Sequence, residues 1–168
     1  TIKIGDDVAE GEQTMCKKIG LMISNPPYQE KGASGGTNDA PIYQDFSLMG
    51  ARVTERYSSY IIRANWFTGG RENLLGEFRK EMLGCGQIRS LRAYASGNDA
   101  FPGDVEIKAG VCYYLRDSES NGTCDYALYQ GGQEIPVPNR DLGEADIFIR
   151  DPKLAEVVKK VLHKVREL

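Results

Sequence analysis

Residues 19–28 read I-G-L-M-I-S-N-P-P-Y. The first six form an apolar run of strand length, and two consecutive prolines follow, which no central strand tolerates. Read as a buried strand closed by a stiff turn, the stretch puts residue 24 at the carboxyl end of a strand in an α/β sheet. In open α/β sheets that is where ligands sit.

The rest of the chain builds outward from this strand. Residues 31–39 (K-G-A-S-G-G-T-N-D) are a loop by composition, and their glycines lack the G-K-[ST] ending of a phosphate loop. Pro41 opens a helix in which Ile42, Phe46, Met49 and Val53 keep helical spacing to about Arg56. Residues 57–62 (Y-S-S-Y-I-I) read as a second buried strand, followed by N-W-F-T-G-G. A second helix carries Leu74, Leu75, Phe78, Met82 and Leu83 on one face and is stopped by Gly84 and Gly86. Residues 88–94 are a third strand, and residues 97–103 a polar loop that contains Phe101 and Pro102. Residues 105–115 and 125–130 read as two further strands, joined by D-S-E-S-N-G-T. A connector follows, rich in glycine and proline. Asp151 then caps a helix that has Pro152 at its first position. Its apolar stripe of Leu154, Val157, Val158, Val161, Leu162 and Val165 needs a partner surface. Strand, helix, strand, helix, strand and hairpin make half of an α/β sheet with crossover helices.

Composition narrows the chemistry. The chain has 168 residues, 40% hydrophobic and 27% charged, an ordinary balance for one globular domain. No apolar run approaches a membrane span and no signal-peptide pattern opens the chain, so the simplest localisation is cytoplasmic. Four cysteines lie outside any C-x-x-C spacing and read as free, mostly buried thiols. The single histidine, His163, lies in the last helical pattern, which argues against a metal site or a histidine-based triad. Net charge is −3 overall, yet residues 49–92 hold 8 basic and 4 acidic groups. That basic middle either faces nucleic acid or is a solvated helix face, and the chain alone should bind DNA weakly. Thr1 in place of a methionine points to processing, or to a piece of a longer chain.

The N-P-P-Y turn carries the chemistry. Prolines fix their own φ and hold the preceding residue extended, so the carbonyls of the segment point in set directions. Asn25 offers a side-chain acceptor, Pro26 a carbonyl, Pro27 rigidity, and Tyr28 a flat face. Two acceptors beside an aromatic face suit an exocyclic amine on a planar base. Holding both amine hydrogens out of the ring plane turns the nitrogen lone pair outward, so no strong base is needed before it attacks a methyl group. The protein then acts by positioning and oriented dipoles. A base in a duplex must flip out to reach such a pocket, where stacking on an aromatic ring helps hold it. The bland alternative is a rigid turn with Tyr28 packed in the core.

The chain resembles the S-adenosylmethionine-dependent adenine-N6 DNA methyltransferases of the gamma order, the restriction-modification methylases that read N-P-P-Y-Q. The resemblance covers about residues 18–130. It rests on I-G-L-M-I-S-N-P-P-Y-Q, P-I-Y-Q-D-F, Y-S-S-Y-I-I-R-A-N-W-F-T-G-G and D-A-F-P-G-D-V-E-I-K-A-G-V-C-Y-Y-L. It implies the C-terminal half of a Rossmann-like methyltransferase sheet with crossover helices and a final antiparallel hairpin. Asn25, Pro26, Pro27 and Tyr28 would be catalytic, and Phe101 would stack with Tyr28 on the flipped base. Phe101 as a core anchor under its loop is the alternative. S-adenosylmethionine would be the co-substrate and double-stranded DNA the partner, with no metal.

Two departures stand near the motifs: Ile19-Gly20 where the family usually has Phe-Asp, and Arg63 near a common proline. A larger one is the lack of the glycine-rich cofactor motif and its ribose-binding acid before residue 25. The resemblance therefore implies a partial catalytic domain over 1–130, a connector over 131–150, and a helix over 151–168 that begins a target-recognition domain. The cofactor-binding half and most of the recognition domain would be supplied by the rest of a longer enzyme, without which the chain is inactive. Other readings are methylation of another planar amine or amide (a release-factor glutamine, an RNA guanine) and a non-catalytic assembly module.

Overall fold

The computed structural model describes residues 18–30, 40–68, 72–101, 103 and 107–166. The readings of residues 1–17, of the 31–39 loop, and of the Leu74, Pro102 and Val105 side chains lie outside the described residues. Strand β1 (Ile19–Ser24) leads into a two-residue ladder, β2 (Gln29–Glu30) against β3 (Ala40–Pro41), then helix α1 (Tyr43–Val53) and strand β4 (Thr54–Arg63). A 3-10 turn at Ala64–Trp66 precedes α2 (Glu72–Gly84), β5 (Ile88–Tyr94) and the one-turn α3 (Gly97–Ala100). Strands β6 (Val111–Asp117), β7 (Cys124–Gln130) and β8 (Gln133–Arg140) follow, then a second 3-10 turn and α4 (Pro152–Arg166).

Six strands form one sheet in the order β1-β4-β6-β5-β7-β8. β1 runs parallel to β4 and β5 parallel to β7, while β6 lies antiparallel between β4 and β5. The result is a mixed sheet with flanking helices, consistent with a Rossmann-like methyltransferase core. Strands β1, β4, β5 and β7 all point one way, so their carboxyl ends share one edge. No helix among the described residues is long and apolar enough to cross a membrane.

One sheet face carries the core. Tyr60, Ile62, Leu91, Ala93, Cys112, Tyr114, Tyr126 and Leu128 alternate inward from four strands and are buried. Against them pack Tyr43 from α1, Leu75, Phe78, Met82 and Leu83 from α2, and Trp66 and Phe67 between. Phe148 returns from the C-terminal segment to meet the Phe67 ring at 4.9 Å and Tyr126 at 5.0 Å, both edge-on. Each such pair adds about 0.5–1.5 kcal/mol beyond area burial and helps hold the 141–149 segment against the sheet.

Several expectations are corrected. β1 has the expected bounds but is not buried: it is the sheet edge, with Ile19, Leu21 and Ile23 exposed at 47%, 52% and 76%. Leu21 and Ile23 pair in register with the half-buried Tyr57 and Ser59 of β4, while Ile19, before a shift in register, pairs with the buried Thr54. Helix α1 starts at Tyr43, because Pro41 is engaged in the β3 ladder and its carbonyl accepts from Gln44 Nε2 at 2.8 Å. The buried face of α1 is Tyr43, Gln44, Ser47 and Gly50, whereas Met49 is exposed. The small Ser47 and Gly50 let the helix approach Tyr60, and a Cβ on Gly50 would lie 1.9 Å from the Tyr60 hydroxyl oxygen. Residues 54–56 belong to β4, not to the helix. β6 starts at Val111, not at 105, because Ala109 and Gly110 have φ of +70° and +71°, outside strand geometry. The final antiparallel hairpin is present, but it pairs β7 with β8. The two strands read as its arms are separated by β5, and the stretch read as a connector contributes β8.

Candidate active site

The N-P-P-Y segment leaves β1 at the common carboxyl edge. Asn25 is exposed, Pro26 buried, Pro27 exposed and Tyr28 half-buried. The burial of Pro26 anchors the segment and leaves the Asn25 carboxamide at the surface. The Tyr28 carbonyl accepts from Ile42 N at 3.4 Å, and the β2–β3 ladder ties the following residues to the start of α1. The chain thus makes a closed excursion around the turn and returns to the helix that crosses back to β4. Tyr43, the first residue of that helix, donates its hydroxyl hydrogen bond to Asn65 Oδ1 at 2.6 Å, just past the end of β4.

The Tyr28 hydroxyl is buried and meets no hydrogen-bond partner among the described residues. Burial raises its phenol above the usual tyrosine value, Cys112 adds to the rise, and the positive charge of Arg63 opposes it. Tyr28 is therefore neutral in ordinary buffers, with Arg63 at the end of β4 and Cys112 near the start of β6 close enough to act on it. Burial also pushes the Cys112 and Cys124 thiols up to about 12, so both stay protonated and neither is a ready nucleophile.

Phe101 is reached from the end of β5 through Ser96, whose side chain caps α3, and its N–H bonds the Gly97 carbonyl at 2.9 Å. It is half-buried and stands outside the core cluster of the described residues. Tyr28 and Phe101 lie on the same edge, but β4 and β6 stand between their strands. Three strand spacings amount to about 14 Å. Asn25, Pro26 and Tyr28 follow β1, and Phe101 follows β5 on the same edge.

Other residues on this edge were not singled out in the sequence. Tyr94, at the end of β5, stacks on Tyr129 of β7 at 4.7 Å and tilts against Tyr113 of β6 at 6.0 Å. Their signal was a tyrosine near the end of each strand, legible only once the strands are neighbours. Several cations of the basic middle are engaged within the fold. Arg79 is buried with its guanidinium on the Trp66 carbonyl, Arg56 and Arg89 both face Asp117, and Arg92 pairs with Asp125.

Comparison with known proteins gives the following. Residues 12–101 match the model of the Eco57I restriction-modification methylase family. A protein of Mycoplasma pneumoniae, described as an uncharacterized adenine-specific methylase, is 32% identical over 107 residues, 62% of this chain and 25% of that protein. The chain thus spans about a quarter of the length of this curated relative. Among solved structures, it is similar to a modification subunit of a putative type I restriction enzyme from Vibrio vulnificus. That alignment has 12% identity and a TM-score of 0.49, over 70% of this chain and 27% of the other. A methyltransferase subunit of a type I restriction-modification system from Streptococcus thermophilus aligns with 15% identity and a TM-score of 0.46, over 77% and 31%.

Proposed function

The chain belongs to the Eco57I restriction-modification methylase family, and from that premise we propose that it is the catalytic-motif part of a DNA adenine-N6 methyltransferase. The observation that carries the reading is the exposed Asn25 carboxamide beside buried Pro26 and half-buried Tyr28, at the carboxyl edge of parallel strands. In this reading the Asn25 side-chain oxygen and the Pro26 carbonyl accept the two hydrogens of the adenine amine. Pro26 and Pro27 keep those acceptors at a fixed angle, so little reorganisation is needed on the way to the transition state. Tyr28 offers its ring to one face of the flipped base, and Phe101, from the same sheet edge, supports the base as well. S-adenosylmethionine supplies an electrophilic methyl group when bound.

The described residues hold the acceptors for the amine but not a full site for the methyl donor. Among the described residues, no glycine-rich turn after a strand and no ribose-binding carboxylate stand beside Asn25. A cofactor-binding half in the rest of a longer enzyme would supply them. The exposed apolar side of β1 supports this, since parallel strands are stable when both their faces are covered. Double-stranded DNA and a target-recognition domain complete the partners in this reading.

The test is to express the complete gene product with Asn25 intact or as Asn25→Ala and to measure N6-methyladenine in host DNA. We expect methyladenine only with Asn25 intact, and a fall in the methylation rate of at least about 100-fold in the variant, as when a preorganised hydrogen-bonding group is lost. Equal methyladenine from both forms removes Asn25 from the chemistry. In the purified complete enzyme, Phe101→Ala should weaken engagement of the target base by about 1–3 kcal/mol, read as a rise in KM for DNA.

A further inference from the structure

Arg63 closes β4 on the carboxyl edge and reaches two segments at once. Its Nη1 donates to Gln29 Oε1 at 3.0 Å, immediately after Tyr28. Its Nη2 donates to the Lys108 carbonyl at 3.4 Å. The turn that holds Lys108 is itself set. The Gly110 N–H bonds the Ile107 carbonyl at 2.9 Å, and Arg150 Nη1 holds the Ala109 carbonyl at 2.8 Å. Ala64, next to Arg63, donates its N–H to the Gly110 carbonyl at 3.1 Å. A Cβ on Gly110 would lie 2.0 Å from the Tyr94 carbonyl oxygen, so the turn is pressed against the end of β5.

The guanidinium therefore bridges the residue that follows N-P-P-Y and the 107–110 turn. Its planar fork presents several donors at set angles, which a lysine ammonium does not. Both acceptors are neutral, so the positive charge is not cancelled by the bonds it makes, and Tyr28 feels it.

We propose that Arg63 is a positioning residue for the amine pocket: it fastens Gln29, and through it Tyr28, to the 107–110 turn. The proposal rests on the reading of N-P-P-Y as that pocket. Without the bridge, Tyr28 and the Pro26 carbonyl drift relative to the edge of β4 and β6. A displacement of about 1 Å in a positioned group costs up to about 100-fold in rate.

The test uses the complete gene product as wild type, Arg63→Met, Arg63→Lys, Gln29→Ala and the Arg63→Met/Gln29→Ala pair. Methyl incorporation from S-adenosylmethionine into unmethylated genomic DNA is followed with each substrate varied, alongside the thermal midpoint of each form. Arg63→Met should lower kcat roughly 10- to 100-fold with KM for DNA nearly unchanged. Arg63→Lys should recover part of the loss, because it keeps the charge but not the fork. Gln29→Ala should lower kcat in the same direction, and the pair should lose less than the product of the single losses. Wild-type kcat in Arg63→Met, or a rise in KM for DNA alone, overturns the proposal. So do independent losses that multiply. If Arg63→Met fails to fold, Gln29→Ala and Arg63→Lys decide the matter, and wild-type kcat in both removes the bridge. If the wild type itself leaves no methyladenine, it is the pocket reading that fails. Coupling of the two substitutions in the thermal midpoint then supports the bridge, and additivity removes it.

Discussion

At the scale of single residues, small side chains decide where large ones go. Gly50 lies in the middle of α1, where glycine costs a helix about 1 kcal/mol relative to alanine. It is there because the Tyr60 hydroxyl occupies the space of its Cβ, and that hydroxyl bonds the Met22 sulfur at 2.8 Å. Gly50→Ala therefore sets a propensity gain of about 1 kcal/mol against an overpacking cost of about 1–3 kcal/mol. We expect the cost to win. The denaturation midpoint in urea should fall, and a rise would mean that Tyr60 has room to move. The site obeys the same rule: Asn25 is a small exposed amide held by a buried proline, and its reach is set by backbone rather than by packing of its own side chain.

At the scale of elements, β1 and β4 look alike in sequence and differ in place. Both are apolar runs, but β4 lies between β1 and β6 whereas β1 has one neighbour among the described residues. Ile62, fully buried on β4, should cost about 2–5 kcal/mol when cut to alanine. Ile23, at 76% exposure on β1, should change the stability of this chain by less than about 0.5 kcal/mol under the same substitution. Denaturant midpoints for the two variants check this contrast. A large loss at Ile23 would show that its face is covered. Helix α4 poses the same question at the other end: Asp151 caps it, accepting from Lys153 N at 2.8 Å, yet Leu154, Val157, Val161 and Val165 are exposed.

At the scale of the molecule, Asp117 ties separate parts of the chain together. It closes β6, accepts from Arg56 of β4 at 3.1 Å, faces Arg89 of β5 at 3.7 Å, and accepts the Glu119 N–H at 3.1 Å. The Arg56 hydrogen bond, first among these, holds its carboxyl below the usual range against the opposing effect of burial. A carboxyl lowered in the folded state binds fewer protons than in the unfolded chain. Its contribution is present in full above its unfolded value, about pH 4, and is lost as pH falls through the lower folded value. Thermal midpoints followed between about pH 7 and pH 2 should fall at the acid end, and Asp117→Asn should flatten that fall. An unchanged acid limb in the variant would place the acid sensitivity elsewhere.

Much of this protein was legible in order along the chain, because the signals there are local. A short apolar run placed β1, residues 88–94 were read as β5, apolar spacing placed α2, Asp151-Pro152 marked the start of α4, and N-P-P-Y announced the turn that leaves β1. The core face of α1 was misread, since Gly50 and Ser47 carry no hydrophobic signal and only Tyr60 opposite them makes that face the inner one. The insertion of β6 between β4 and β5 and the pairing of β7 with β8 were also out of reach, because neighbours in a sheet are chosen by the whole set of strands. The same holds for the bridge from Gln29 through Arg63 to Lys108, which spans 34 and 45 residues of sequence. By itself the sequence determined most of the elements and marked the Asn25–Tyr28 turn, because backbone dihedrals and side-chain periodicity are local properties. Only the tertiary structure decided which faces are buried and which distant residues meet at the carboxyl edge, because burial and register depend on contacts that no short stretch contains.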